Sequence, residues 1–326
     1  MTKPEAQYQS GQFQFSFLSL KYWGIWFTAF ILTFLAYLPW AIQWRLAKLF
    51  SKIAWTLLGS RRKTTLRNLG ACFPEKTPEQ IEAKAKSVFT DTMIGIFEAL
   101  NAWYCPAWFK KRVHIEGLEH LNDNRDRGIL LLGTHSTLLD AGGAACTLFF
   151  DMDVVYRPQN NPFMDFLIHR SRARVYKNQI AKDNMRSLIE KLKNGHAIWY
   201  SPDQDFGLKQ GVMASFFGIQ AATVTAHRRL MDISNAVAIP LYFYRSGNIR
   251  DPQYNVLVEP KLENFPSECE VNDAERVNKI IENQIRIAPT QYMWFHRRLA
   301  LLHKDLKCKA PLIEPNLRRN LDKWST

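Results

Sequence analysis

The stretch from Tyr22 to Ile42 holds no charged residue and is dominated by Trp, Phe, Ile, Leu and Tyr. It constrains the chain more than any other feature, because it must leave water and has the length a helix needs to cross a hydrocarbon core of about 30 Å. Tyr22, Trp23 and Trp26 crowd one end and Tyr37 and Trp40 the other, as amphipathic rings do at the two lipid–water boundaries. Only Lys3 and Lys21 precede the run and no small-residue cleavage site follows it, which argues against a removed signal peptide. Arg45, Lys48, Lys52, Arg61, Arg62, Lys63 and Arg67 all follow it, and such basic flanks stay on the cytoplasmic side. Residues 21–42 are therefore expected to form one transmembrane or membrane-anchoring helix after a tail at 1–20. A core helix packed against the domain is the alternative, and Pro39 favours it.

Residues 43–72 continue as a basic amphipathic segment. Ile42, Leu46, Leu49, Phe50, Ile53 and Leu57 recur at helical spacing while Arg45, Lys48 and Lys52 share another face. That pattern suits a helix in the headgroup region and, equally, a core helix with a solvated face; its place beside the apolar run favours the membrane surface. The formal net charge of +13 directs the protein toward anionic surfaces, phosphates or an acidic protein. Nucleic acid would fit the charge, but no recognition-helix, zinc-finger or RNA-binding signature accompanies it. Cys72, Cys105, Cys146, Cys269 and Cys308 are scattered without a C-x-x-C pair, so neither a disulfide framework nor a zinc site is expected.

Beyond Phe73-Pro74 the remainder, 73–326, reads as one domain. Thr77, Pro78 and Gln80 supply an N-cap, a first-turn proline and a capping-box partner for a helix continuing toward Trp103. Strands are expected at Ile129 to Leu132, Val154 to Tyr156, Ala197 to Tyr200, Ala236 to Phe243 and Tyr254 to Val258. Helical patterns fall between them, one at Asn184 to Lys193 closed by Gly195, and a last helix is expected from about Asn272 to Ile287, stopped by Pro289. The alternation predicts an α/β fold, a mainly parallel sheet covered by helices.

The segment Gly133-Thr134-His135-Ser136-Thr137-Leu138-Leu139-Asp140 sits where a buried strand ends and a helix begins. Two side chains five apart on one regular helix diverge by about 140°. With His135 in the strand-to-helix turn and Asp140 in the first helical turn, the carboxylate reaches back to the imidazole. It then fixes the tautomer and steadies the imidazolium, and the other ring nitrogen is free to take a proton from a hydroxyl. A structural histidine is the alternative for so short a pattern; the carboxyl end of an apolar strand, where open α/β sheets hold ligands, favours the functional one.

In order along the chain come Val155-Tyr156-Arg157-Pro158 with Asn160-Asn161-Pro162, then Ser171-Arg172, then Trp199-Tyr200-Ser201-Pro202-Asp203-Gln204-Asp205-Phe206-Gly207. Phe216-Phe217-Gly218 with Ala221-Ala222-Thr223 follows, and finally Pro289-Thr290-Gln291-Tyr292-Met293-Trp294-Phe295-His296-Arg297. With His135 and Asp140, these blocks resemble the lipid A biosynthesis acyltransferase family over nearly the whole chain. Glycerolipid acyltransferases share the His-Asp pair but typically carry Pro-Glu-Gly-Thr where this chain has Pro202-Asp203-Gln204-Asp205. The resemblance implies a glycerol-3-phosphate acyltransferase-like fold at the bacterial inner membrane. It implies transfer of a fatty acyl chain, lauroyl or similar, from acyl carrier protein to a hydroxyacyl chain of a phosphorylated lipid A precursor, without a cofactor. It implies His135 as general base, Asp140 as its orienting carboxylate, and Arg172 and Asp203 as further active-site residues. Many members have Glu where Asp140 stands, which leaves the subfamily open.

Arg172 could stabilise an oxyanion or grip a phosphate, or belong with Arg174 to a solvated basic face. Asp203 and Asp205, followed by Lys209, could pair with Arg172 or contact substrate. Arg157, Asn161, Arg174, Asp205, Lys209, His296 and Arg297 are the expected substrate-binding residues, although His296, Arg297 and Arg298 also read as a helix-end basic cluster. Asp151 and Asp153 repeat the Asp-x-Asp spacing of Asp203 and Asp205, but two carboxylates alone are poor grounds for a metal, and none is expected. No Gly-x-Ser-x-Gly elbow or Cys-His arrangement points to an acyl-enzyme, so direct displacement in a ternary complex is expected. The rival readings are an acyltransferase with another acceptor, such as a glycerolipid or phosphoinositide mannoside, and a non-catalytic lipid-binding protein of the same fold.

Overall fold

The computed structural model describes residues 11–299. The start of the expected tail, the last part of the expected 73–326 domain and Cys308 lie outside the described residues. The helices are α1 (Trp23–Ala36), α2 (Trp40–Leu57), α3 (Gly59–Cys72), α4 (Pro78–Tyr104), α5 (Pro106–Lys110), α6 (Glu119–Asn122), α7 (Leu139–Cys146), α8 (Pro162–Arg172), α9 (Met185–Lys193), α10 (Ala226–Ser234) and α11 (Glu270–Ile287). The strands are β1 (Val113–Glu116), β2 (Ile129–Leu132), β3 (Asp153–Tyr156), β4 (Gln179–Ala181), β5 (Ala197–Tyr200), β6 (Gly211–Phe216), β7 (Ile219–Val224), β8 (Val237–Asn248) and β9 (Asp251–Val258).

Seven strands form one sheet in the order β1-β9-β8-β2-β5-β3-β4, parallel at every pairing except β8 with β9. The expected mainly parallel sheet covered by helices is what forms. β2 is central and buried at all four positions, because residues of alternating direction enter two different apolar cores. That is why its sequence is a continuous apolar run and not an alternation. Thr77 caps α4 with the reciprocal Gln80 contact, and Asn184 caps α9 by accepting from Ser187 N–H. The β6–β7 hairpin is separate from the main sheet.

The amino-terminal expectation needs correction. The apolar run does not make one helix: Tyr37, Leu38 and Pro39 break it, and α1 has 14 residues. At 1.5 Å per residue that is about 21 Å, short of a hydrocarbon core of about 30 Å. Among the described residues no helix is long and apolar enough to cross a membrane. The segment is nevertheless not a buried core helix. Trp23, Phe27, Phe30 and Phe34 recur on one face of α1 and are 59–70% exposed. On α2 the usual polarity is inverted: Gln43, Ala47 and Ser51 face inward, while Ile42, Leu49, Phe50, Ile53 and Leu57 are exposed among Arg45, Lys48 and Lys52. Gln43 and Asn101 exchange amide hydrogen bonds at 3.2 and 2.7 Å to fix α2 on α4. The second half of α3, from Thr65 to Cys72, is buried, so the expected surface segment at 43–72 ends earlier than its basic composition suggested.

Candidate active site

β2 and β5 pair in parallel with Leu132 opposite Tyr200. The ladder continues one step through Gly133 N–H donating to the Tyr200 carbonyl at 3.0 Å. His135 and Asp203 each lie three positions beyond those paired residues, so the two chain segments leave the sheet side by side. The Asp203 carboxylate is 1% exposed and lies 2.5 Å from His135 Nδ1 through Oδ1, while Oδ2 accepts the His135 backbone N–H at 2.8 Å. Ser201 Oγ is 2.8 Å from Oδ1 and 2.9 Å from the Gly133 carbonyl. Burial alone would raise the Asp203 carboxyl, but the neighbouring His135 and the hydrogen bonds from His135 and Ser201 outweigh it and hold the group well below the usual carboxylate range.

The pairing of His135 with Asp140 expected from the motif is therefore not the one formed. Asp140 lies in the first turn of α7, and its carboxylate meets Arg172 in a two-point contact, Nε to Oδ1 at 2.6 Å and Nη2 to Oδ2 at 3.0 Å. The physical reason is the two helix ends. An acid at the amino end of α7 and a guanidinium at the carboxyl end of α8 each suit their own helix dipole, and the planar fork matches the carboxylate. Burial disfavours the charge on Arg172, and Asp140 more than restores it.

His135, Asp140 and Arg172 border one cavity of about 210 Å³, whose other walls include Leu139, Met152, Val154, Tyr176, Trp199 and Phe243. Trp199 stands edge-on to the imidazole, ring centroids 5.7 Å apart. α7 approaches the sheet closely enough that a Cβ on Gly142 would lie 2.0 Å from the Phe243 ring, and one on Gly143 would lie 1.8 Å from the Tyr176 hydroxyl. A strap after α11 covers the histidine turn: Met293 N–H donates to the His135 carbonyl at 3.0 Å, Thr137 N–H donates to Gln291, and Ser136 bridges Tyr292. Asn68 of α3 pins the strap by donating to the carbonyls of Trp294 and His296.

The remaining expected residues divide. Arg157 borders the cavity. His296 lies beside His135, centroids 5.9 Å apart, and burial followed by the charge of His135 lowers it from the usual histidine range. Asn161 uses its side chain to cap α8, accepting from Phe163 and Met164 N–H. Arg174 stacks over the Tyr104 ring. Asp205 accepts from Gly207 N–H in a tight turn, Lys209 and Arg297 are exposed, and none of these three borders the cavity. Arg298 is buried against Thr223 and Asn278, so the basic cluster at the end of the strap separates into residues with different surroundings. Asp151 and Asp153 stand at the amino-terminal end of β3, the end of the strands away from His135, next to Lys177 and to His196 with Asn178. Sequence reasoning missed the walls formed by Trp199 and Tyr176 and the Ser201 contact; the one signal for the His135–Asp203 meeting is that each lies three positions beyond an apolar strand, which speaks only once β2 and β5 are known to pair.

A family model for bacterial lipid A biosynthesis acyltransferases matches residues 11–300. The lipid A biosynthesis palmitoleoyltransferase of Escherichia coli (strain K12) is 32% identical over 291 residues, covering 88% of this chain and 94% of that protein. The lipid A biosynthesis lauroyltransferase of the same organism is 32% identical over 300 residues, with the same coverage. A lipid A biosynthesis acyltransferase of Haemophilus influenzae is 31% identical over 292 residues, covering 88% and 93%. The chain is an acyltransferase and belongs to the bacterial lipid A biosynthesis acyltransferase family.

Proposed function

We propose that this enzyme moves a fatty acyl chain, lauroyl or similar, from an acyl carrier protein thioester to a hydroxyl on a hydroxyacyl chain of a phosphorylated lipid A precursor. The observation that carries the reading is the His135–Asp203 pair beside a cavity that joins apolar walls, Leu139, Met152, Val154 and Phe243 among them, to Arg157 and Arg172. With Nδ1 committed to Asp203, Nε2 is the nitrogen that accepts the acceptor's hydroxyl proton. The oxygen attacks the thioester carbonyl, the new C–O bond forms, the C–S bond breaks, and the imidazolium returns its proton to the departing thiolate. No protein nucleophile and no cofactor is needed.

The surfaces suit the two substrates. The exposed aromatic stripe of α1 and the outward apolar face of α2, flanked by Arg45, Lys48 and Lys52, would seat the protein on the cytoplasmic leaflet of the inner membrane, where the glycolipid is. The net charge of +13 favours docking of a strongly acidic carrier protein. The test is a mass-spectrometric assay with purified protein, acyl carrier protein loaded with lauroyl or other chains, and either the glycolipid precursor or glycerol phosphate as acceptor. A product on the glycolipid, lost in His135→Ala, is expected. Acylation of glycerol phosphate alone would replace the acceptor, and turnover unchanged in His135→Ala would remove the mechanism.

A further inference from the structure

The acidic member of the His-x-x-x-x-Asp motif has no free role beside the histidine, since Asp203 occupies His135 Nδ1 and its backbone N–H. Asp140 is instead committed to Arg172 by two hydrogen bonds, and both side chains are about four-fifths buried. A guanidinium has five N–H donors, of which this carboxylate takes two, and a two-point grip fixes the plane in which the others lie. Both residues border the same cavity as His135.

We propose that Asp140 is a positioning residue for Arg172, and that Arg172 directs its remaining N–H groups at the thioester carbonyl oxygen as negative charge develops there. This inference rests on the acyl-transfer reading above and assigns a division of labour within it: Asp203 serves the proton transfer and Asp140 serves the oxyanion. A phosphate is the poorer occupant for Arg172 although Arg157 borders the same cavity, because the Asp140 carboxylate that Arg172 already holds would repel a second anion there. A thioester oxygen is uncharged on entry and becomes anionic only in the transition state, where fixed donors contribute most.

The charged and titratable groups around His135 are Asp203 beyond β5, His296 and Tyr292 on the strap, and, lining the cavity, the Asp140–Arg172 pair, Tyr156 and Arg157 at the end of β3, and Tyr176. Replacing each carboxylate therefore gives a different signature. The experiment measures kcat, KM for the acyl carrier thioester and the pH profile of kcat/KM for wild type, Asp140→Asn, Asp140→Glu, Asp203→Asn, Arg172→Lys and Asp140→Asn with Arg172→Lys. Thermal melts of each variant confirm a folded state. Asp140→Asn is expected to lower kcat by about 10²-fold with little change in KM, as for loss of an oxyanion donor, and to leave the acid limb of the profile in place. Asp140→Glu restores much of the rate because Glu keeps the fork. The double variant is no slower than Arg172→Lys alone, since both substitutions remove one device. Asp203→Asn moves the acid limb to lower pH, because the imidazolium loses its counter-charge. An acid limb displaced equally by Asp140→Asn, or losses that multiply in the double variant, would overturn the assignment while leaving acyl transfer intact. A wild type that transfers no acyl chain would overturn the underlying reading as well.

Discussion

His135 Nδ1 and Asp203 Oδ1 stand 2.5 Å apart although 68 residues separate them in the chain, and the carboxylate has no access to water beyond 1% of its surface. Removing the charge while keeping the shape should therefore be severe. Asp203→Asn is expected to lower kcat on the order of 10³- to 10⁴-fold, because the amide no longer favours the tautomer with Nε2 free. Single-turnover acyl transfer measures this, and a loss under tenfold would deny Asp203 its orienting role.

The same pair sets an acid limit to stability. The folded-state Asp203 carboxyl is held below its usual range, so its contribution is fully present above the unfolded value of about 3.9 and is lost as pH falls toward the depressed folded one. Circular dichroism between pH 6 and pH 2 should show a steeper loss of wild-type stability below about pH 4 than Asp203→Asn shows. Parallel curves would mean the pair contributes nothing to that loss.

Local signals made most of the framework legible. The continuous apolar runs Ile129–Leu132 and Ala197–Tyr200 are β2 and β5 without a shift at either end, and the Thr77 capping box begins α4. β1 and β4, short edge strands of alternating or mixed burial, carry too little apolar pattern to stand out. Of the expected site residues, His135, Asp140, Arg157 and Arg172 come to one cavity, but the expected pairing among them is not the one formed. A spacing of five suggested that His135 and Asp140 meet, but register across the sheet, which sequence does not print, gave His135 to Asp203. The amino-terminal run misled for the reverse reason: composition reports that residues leave water, whereas Pro39 decides whether they do so as one helix.

Gly143 offers a packing test close to the chemistry. An added methyl would lie 1.8 Å from the Tyr176 hydroxyl, and both residues border the cavity beside His135. Gly143→Ala is expected to cost about 1–3 kcal/mol through overpacking and to slow transfer by constricting the cavity. Adding Tyr176→Phe should recover part of both, because the ring carbon behind the hydroxyl is still only 2.8 Å away. Thermal melts and initial rates on the single and double variants check it; an unchanged melting temperature for Gly143→Ala would mean α7 can retreat from Tyr176 without penalty.

The outward stripe of α1 predicts a separable membrane function. Phe27, Phe30 and Phe34 are 59–70% exposed, so replacing them with Asp removes little from the core. The triple variant should lose at least about tenfold in co-sedimentation with anionic vesicles, since each buried methylene is worth about 0.8 kcal/mol at an interface. Its turnover on detergent-dispersed acceptor should stay close to wild type. Undiminished vesicle binding would place the contact elsewhere on the molecule.

Arg245 ties the sheet to α4 and, through its backbone, to the strap over His135. Its guanidinium donates to Glu98 Oε1 at 2.8 Å and pairs with Asp91, while its backbone N–H and carbonyl bond the side chain of Gln291 at 2.8 and 2.9 Å. Glu98 is fully buried, and burial raises its carboxyl despite Arg245 and the Tyr254 hydroxyl. Arg245→Met would strand that carboxyl without its cation, at a cost of about 3–5 kcal/mol. A carboxyl raised further in the folded state takes up a proton on folding, so the variant should be least impaired near pH 5 and progressively worse toward pH 8. Adding Glu98→Gln removes the stranded charge, leaving Asp91, which is nearer to water, and should flatten that dependence. Urea denaturation of the single and double variants at several pH values measures both effects. A penalty for Arg245→Met that is independent of pH would show that the loss comes from packing and not from the buried charge.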